Sequence, residues 1–394
     1  MRYALIAFFY CCILPAAGQR PVSGRVVAEG SGQPIAGISV FVNNSSVGTV
    51  TATDGSFHLA EVPAGELIVS GVSFETLVYT VKPGTTPLSL QFELKPKIKE
   101  LENVTVGGYI VETWEKWGQT FLENFLGRTP VARKCILQNK EVIRFRYYKD
   151  KGLLEAVADL PLMIENPQLG YIIRYDLQDF KISFNEPHSY YSGYALFLDR
   201  EKTSRRAAAR NRKKAYYGSA MHFMRALYKD QLAVQEFEVQ RMVRVPNTEK
   251  ERVRRIAAVR ALQLTRTGIM KDQLQDSAAY YQKVLSQADY TDYYARASLK
   301  TDSILTGTVD NYKIVNWDHF LAITYHGVME DPEYLQYIGA PNRSTGYPRS
   351  LLQLKGPIVI DERGNWSLPQ DLITSGYWGW SNRVGDMLPL DYEP

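Results

Sequence analysis

Three cysteines in 394 residues is few, and two of them, Cys11 and Cys12, lie in an apolar run at the N-terminus. With that run removed only Cys135 is left, so no intramolecular disulfide can form and the chain must rely on its packed cores. Histidine is also scarce, at five residues. After the first residues no apolar run approaches the roughly 18–20 residues that a membrane helix needs. Glycine-rich phosphate loops, dinucleotide fingerprints and calcium loops are missing as well. These absences exclude a disulfide scaffold, a helical span beyond the N-terminal run, and the common nucleotide-binding classes. What is present is an ordinary apolar content of 45% and an unusual 26 tyrosines. That combination favours β-rich structure with half-exposed rings, and the length fits two or three domains.

Met1 to Gly18 reads as a processing segment: Arg2 gives a positive start, Ala4 to Leu14 is apolar, and Ala16-Ala17-Gly18 offers small residues for cleavage after Gly18. A lipid anchor on Cys11 or Cys12 is not favoured, because the small residues that precede such a cysteine are missing. The chain is therefore expected to be exported, to the periplasm or to the outer membrane's surface.

From Gly24 to Leu94 apolar residues fall on every second position, as in Ile38, Val40, Val42, then Phe57, Leu59, then Leu77, Tyr79, Val81 and Leu88, Leu90, Phe92, Leu94. Period two is what a strand with one buried face requires. Gly30-Ser31-Gly32-Gln33-Pro34, Thr53-Asp54-Gly55, Pro63-Ala64-Gly65 and Pro83-Gly84 can each reverse the chain. About seven strands at this spacing predict a small sandwich of two antiparallel sheets over residues 19–95. Within it, Gly24-Arg25-Val26-Val27, Gln33 to Val40, Gly48-Thr49, Thr53 to Phe57 and Val62-Pro63 resemble the carboxypeptidase-like regulatory domain. That resemblance implies a transthyretin-like sandwich of the kind that precedes the plug of TonB-dependent receptors in Bacteroidota. It implies an accessory module for stability or docking and carries over no active-site residue. Lys95 to Glu100 and Val104-Thr105-Val106 look like the step into such a plug. The roughly 300 residues that follow are too few for a plug and a barrel of about twenty strands.

Residues 96–130 are expected to hold that linker and an amphipathic helix from Thr113 to Leu126, with Trp114, Trp117, Phe121, Leu122 and Phe125 on one stripe. Residues 131–394 are expected to form a larger α+β domain. Its first part is an antiparallel meander of about five strands: Val142–Tyr148, Leu153–Asp159, Leu162–Ile164, Tyr171–Phe184 and Tyr190–Leu198. Charge then becomes lopsided: residues 200–271 carry 19 Lys and Arg against 6 Asp and Glu, so +13 there against +4 for the whole chain. The densest cluster is Arg205, Arg206, Arg210, Arg212, Lys213 and Lys214, expected on a helix. A second helix starts near Ser219, and a third at Thr248 with Glu251 as its capping box. Ser277–Leu285 reads as a further helix, and short strands follow over 304–325 and 351–360. Phe125-Leu126-Gly127, Leu169-Gly170-Tyr171, Ala215 to Ser219, His222-Phe223 and Leu388 to Pro394 resemble a recurring family of exported Bacteroidota proteins, for which the resemblance implies no activity.

Chemistry is hard to find. His58-Leu59-Ala60-Glu61 matches the His-x-x-Glu of zinc carboxypeptidases, but it falls in a strand, where residues three apart point to opposite faces. His319 and His326 are separated by a likewise unsuitable strand. Ser219 and His222 sit three apart at a helix start, yet an ordinary cap explains Ser219. Cys135 has no histidine nearby in sequence and reads as a small buried hydrophobe. The expectation is thus no cofactor, no metal and no catalytic residue. The six basic residues would contact an envelope protein or an anionic envelope component, not nucleic acid. Trp366, Trp378 and Trp380 could stack on a glycan, or could close the second domain as a strap. The rival reading is an envelope hydrolase of peptide or glycan with a site assembled in the second domain.

Overall fold

The computed structural model describes residues 20–82, 88–97, 108–185, 188–201, 203–267, 275–367 and 369–394; the expected leader and the Val104–Val106 step lie outside these. The period-two region becomes seven strands: β1 (Arg20–Ala28), β2 (Ser39–Val42), β3 (Gly48–Val50), β4 (Ser56–Val62), β5 (Gly65–Ser70), β6 (Leu77–Val81) and β7 (Leu88–Leu94). They form two sheets, in the orders β4-β1-β7 and β3-β2-β5-β6. Val26, Val40, Leu67 and Val69 are fully buried between them. One pairing departs from the antiparallel expectation: β1 and β7 run parallel, from Val22 opposite Leu88 to Ala28 opposite Leu94. Strands at the two ends of a module are joined by no tight turn, so nothing local dictates their direction. Gly24 allows this approach, since a Cβ there would collide with the Leu90 carbonyl.

The next body contains β8 (Ile110–Glu112), α1 (Trp114–Phe125), β9 (Ile136–Leu137), β10 (Ile143–Tyr148), β11 (Leu153–Ala158), β12 (Leu162–Asn166), β13 (Tyr171–Ser183) and β14 (His188–Asp199). Their sheet has seven strands instead of about five, because short β8 and β9 add to its edges. β13 organises it: β14 pairs along its length on one side, β12 and then β11 on the other. The expected stripe of α1 covers this sheet, with Phe121 and Phe125 fully buried against Phe145, Tyr175 and Phe180. Each such ring contributes roughly 1.5–3 kcal/mol by burial.

Beyond lie α2 (Arg205–Tyr216), α3 (Ala220–Tyr228), β15 (Phe237–Pro246), α4 (Thr248–Thr267), α5 (Gln275–Leu285), β16 (Tyr290–Ser298), β17 (Leu305–Val309), β18 (Tyr312–Val315), β19 (Phe320–Tyr325), α6 (Pro332–Tyr337), β20 (Arg349–Leu354), β21 (Ile358–Ile360), β22 (Leu372–Gly376) and α7 (Tyr377–Ser381). A five-stranded sheet, β16-β15-β19-β20-β22, and a three-stranded sheet, β17-β18-β21, enclose a core around α3. α4 is capped one residue earlier than its sequence suggests. Asn247 Oδ1 accepts from the Lys250 amide at 3.0 Å, in place of a Thr248–Glu251 box.

The sandwich does not stand apart. Phe41 and Ile68 pack on Leu196 of β14, and the amides of Asn44 and Phe197 bond across the junction to the carbonyls of Ala195 and Ser45. Ser70 donates to buried Asp176 at 2.5 Å, and Arg174 pairs with the same carboxylate at 3.1 Å. The C-terminal strap ties both parts together. Leu390 N–H donates to the Asn44 carbonyl, and Asp391 accepts from the Ser46 amide. Arg225 of α3, 5% exposed, donates to three main-chain carbonyls, those of Arg363, Leu390 and Tyr392, at 2.9–3.0 Å.

Candidate anion-docking face

α2 forms because its alanines and long side chains favour helix, and because Ser204 accepts from the Ala207 amide at its start. Ala208 and Tyr216 anchor it. Lys213 and Lys214 in its last turn suit the negative end of the helix dipole. Arg206, Arg210 and Lys213 follow one another at intervals of four and three, which stacks them along one side. Arg205, Arg206, Arg210, Lys213 and Lys214 are all exposed. Among the described residues no carboxylate lies within 4.0 Å of Arg205, Arg206, Arg210 or Lys213. Lys214 reaches only Asp331, at 3.9 Å.

Arg212 does not belong to this face. It turns inward, with Nε donating to the Leu169 carbonyl at 2.7 Å and the guanidinium 3.8 Å from the centre of the Tyr171 ring. Its place in the helix puts it on the Ala208 side, next to Gly170, so its charge serves packing. The other basic helix also differs. Arg252 pairs with Glu249 through two bonds of 2.7 Å, and Lys250 and Arg254 share Asp289 at 2.9 and 2.7 Å. The Arg252 guanidinium and Tyr280 hold the Glu249 carboxyl down at about 2. The first turns of α4 are thus largely neutralised, with Arg255 exposed and unmatched, whereas α2 keeps four unmatched cations.

The elbow after α2 settles the Ser219–His222 pair geometrically. Ser219 Oγ accepts from the His222 amide as an N-cap. His222 Nδ1 accepts from the Gly218 amide at 3.1 Å, so Nε2 carries the proton and donates to Gln235 at 2.9 Å. The ring is 2% exposed among Tyr216, Tyr217, Phe237 and Tyr325. Burial lowers its pKa, which keeps it neutral. Neither group is free to attack a substrate. Gly218 and Gly327 both pack on the Tyr325 ring, which brings the turn after β19 beside the end of α2.

The remaining candidates separate. Burial pushes the Cys135 thiol up to about 12, with the Asp386 carboxylate adding to the effect. Asp386, held by Thr129 at 2.8 and 3.0 Å, is itself raised well above the carboxylate range by burial. His58 and Glu61 are both exposed, contrary to the alternation expected of a strand. The β1–β4 register shifts between Arg20 and Val22, so the alternation breaks before Glu61. His58 is taken by Ser23 at 2.7 Å. His326 pairs with Glu238 at 3.0 Å. Among the described residues no three His, Cys, Asp or Glu side chains converge as metal ligands would.

The glycan platform is not assembled. Trp378 and Trp380 are 2% and 4% exposed, and Trp366 is half-buried against the core of the five-stranded sheet. The Trp378 indole donates to the Gly218 carbonyl at 2.7 Å. Rings so covered offer no face to a sugar, because the strap needs them as core. The two best-formed clefts, at the Ser70–Asp176 junction and beside Arg128 and Tyr337, hold about 30 and 40 Å³ of free space, enough for a water or two. Sequence reasoning missed Val328 and Met329, which stand 40% and 52% exposed in the turn after β19. No periodic signal marks them.

Among known proteins, the N-terminal part has relatives. The TonB-dependent receptor SusC of Bacteroides thetaiotaomicron is 31% identical over 107 residues, which is 27% of this chain and 10% of the receptor. The chain therefore spans a small fraction of that relative. Among solved structures, a DUF3823 family protein of Bacteroides uniformis aligns at 13% identity, covering 45% of this chain and 75% of that one, with a TM-score of 0.15. A membrane-associated protein of unknown function from Bacteroides fragilis aligns at 8% identity over 92% and 97% of the two chains, with a TM-score of 0.17. A cohesin–dockerin complex of Acetivibrio cellulolyticus aligns at 21% identity over 20% and 58%, with a TM-score of 0.17. Residues 22–106, which contain the sandwich, match the family model of the CarboxypepD_reg-like domain.

Proposed function

We propose that this is an exported, non-enzymatic cell-envelope protein that docks onto an anionic envelope component through the outer face of α2, with the sandwich as a fixed accessory module. The observation that carries this reading is the contrast between the two basic helices. Among the described side chains of α4, Lys250, Arg252 and Arg254 are matched by carboxylates and Arg260 lies over the Tyr281 ring, which leaves Arg255 alone, whereas on α2 four cations, Arg205, Arg206, Arg210 and Lys213, are left to solvent. Unmatched like charges on one face repel one another, and an anionic partner relieves that repulsion. The hydrolase reading is less well supported, since Ser219 serves as a cap, His222 is locked neutral and the Cys135 thiol stays protonated.

Retention on an immobilised polyanion such as heparin tests the contact. Wild type should need salt for elution, and R205E/R206E/R210E/K213E should pass through at low salt with an unchanged circular dichroism spectrum. Equal elution of the two proteins would remove α2 from consideration.

A further inference from the structure

We infer that the partner of this face is a lipid surface bearing phosphate headgroups, with Tyr217, Val328 and Met329 entering the headgroup layer beside the α2 cations. The inference rests on the anion-docking reading above and names the anion. Two independent features meet at one place. The first is the row of unpaired cations Arg205, Arg206, Arg210 and Lys213, which runs to the end of α2. The second is the turn after β19, where Val328 and Met329 stand exposed at 40% and 52%. Lys214 lies 3.9 Å from Asp331, two residues beyond Met329. Gly218 and Gly327 both press on the Tyr325 ring, so Tyr217 and the turn share one neighbourhood.

A basic stripe flanked by protruding apolar side chains is the pattern of a peripheral membrane contact, in which charge attracts and apolar groups enter the interface. An acidic protein would match the charge but would also need a shaped recess for an anchor side chain. Neither of the two best-formed clefts involves this face, and they hold only about 30 and 40 Å³ of free space. A lipid surface needs no such complementarity.

Co-sedimentation with vesicles decides the matter. Wild type should bind vesicles of phosphatidylcholine mixed with phosphatidylglycerol, release with salt, and ignore phosphatidylcholine alone. Each cation near an anionic surface contributes about 1 kcal/mol, or about five-fold, so R205E/R206E/R210E/K213E should weaken binding by at least about 100-fold. V328S/M329S, which removes the apolar side chains without changing charge, should weaken it by about ten-fold while its elution from heparin stays that of wild type. Both sets of positions are exposed, so neither change threatens folding. If V328S/M329S binds the mixed vesicles as tightly as wild type, the membrane contact is wrong. If wild type ignores those vesicles yet still needs salt to leave heparin, the docking face survives and its partner is an acidic protein. If charge reversal leaves heparin retention untouched, both readings fall.

Discussion

Replacing Arg225 by methionine tests how the molecule is tied together. This guanidinium is buried and makes no ion pair among the described residues; its donors serve the carbonyls of Arg363, Leu390 and Tyr392 at 2.9–3.0 Å. A hydrogen bond from a charged donor contributes about 1.5–3 kcal/mol, but the part-buried carbonyls of Arg363 and Tyr392 can recover water. Methionine also keeps much of the packing of the side-chain stem. A loss of about 3–5 kcal/mol follows, or roughly 6–10 °C in Tm if unfolding is cooperative. The local readout is sharper than Tm. Leu390 N–H is bonded to the Asn44 carbonyl at 2.7 Å, so its hydrogen exchange should quicken once the strap loosens. R225K should fall between the two, because an ammonium on a flexible stem cannot reach three carbonyls in a fork. A Tm within about 1 °C of wild type, together with unchanged exchange at Leu390, would refute the clasp.

Arg210 and Arg212 are neighbours with opposite fates: R212A should lower stability by about 2–3 kcal/mol in urea unfolding, and R210A by no more than about 0.5 kcal/mol. Similar losses would mean that Arg212 is not packed on Tyr171. His222 is held neutral, so its folded pKa lies below the unfolded value near 6.5. Stability from this group is therefore present above about pH 6.5 and declines as pH falls toward the lowered value, and H222Q should show a shallower acid slope in thermal melts. Identical slopes would contradict a buried neutral ring. The Cys135 thiol, at about 12, should resist iodoacetamide at pH 8 in the folded chain and react quickly in urea. Prompt labelling of the native protein would show that the thiol is not shielded.

The sandwich and most strands of the second body are legible because period-two burial is written directly into residue order. Pairing partners are not. The parallel β1–β7 contact joins residues 66 positions apart, Val22 with Leu88, and no local pattern encodes its direction. Arg210 and Arg212 look alike in a run of basic residues, and only the side of α2 that meets Gly170 and Tyr171 tells them apart. Trp378 and Trp380 beside glycines suggest an exposed platform as readily as a strap. Their burial depends on the Gly218 carbonyl and on Tyr334, which lie far away in sequence. Val328 and Met329 belong to a turn without periodicity, so their exposure beside α2 emerges only when Gly218 and Gly327 converge on Tyr325.

Because β14, the β2–β3 turn and the C-terminal strap interlock, the N-terminal module is joined to the body at several points and not by a linker alone. It behaves as a bracket welded to its wall plate. On the proposed docking of α2, the outer strands of that bracket would project at one set angle and height. Anything they meet would be held at a constant stand-off, without the slack that a flexible tether allows.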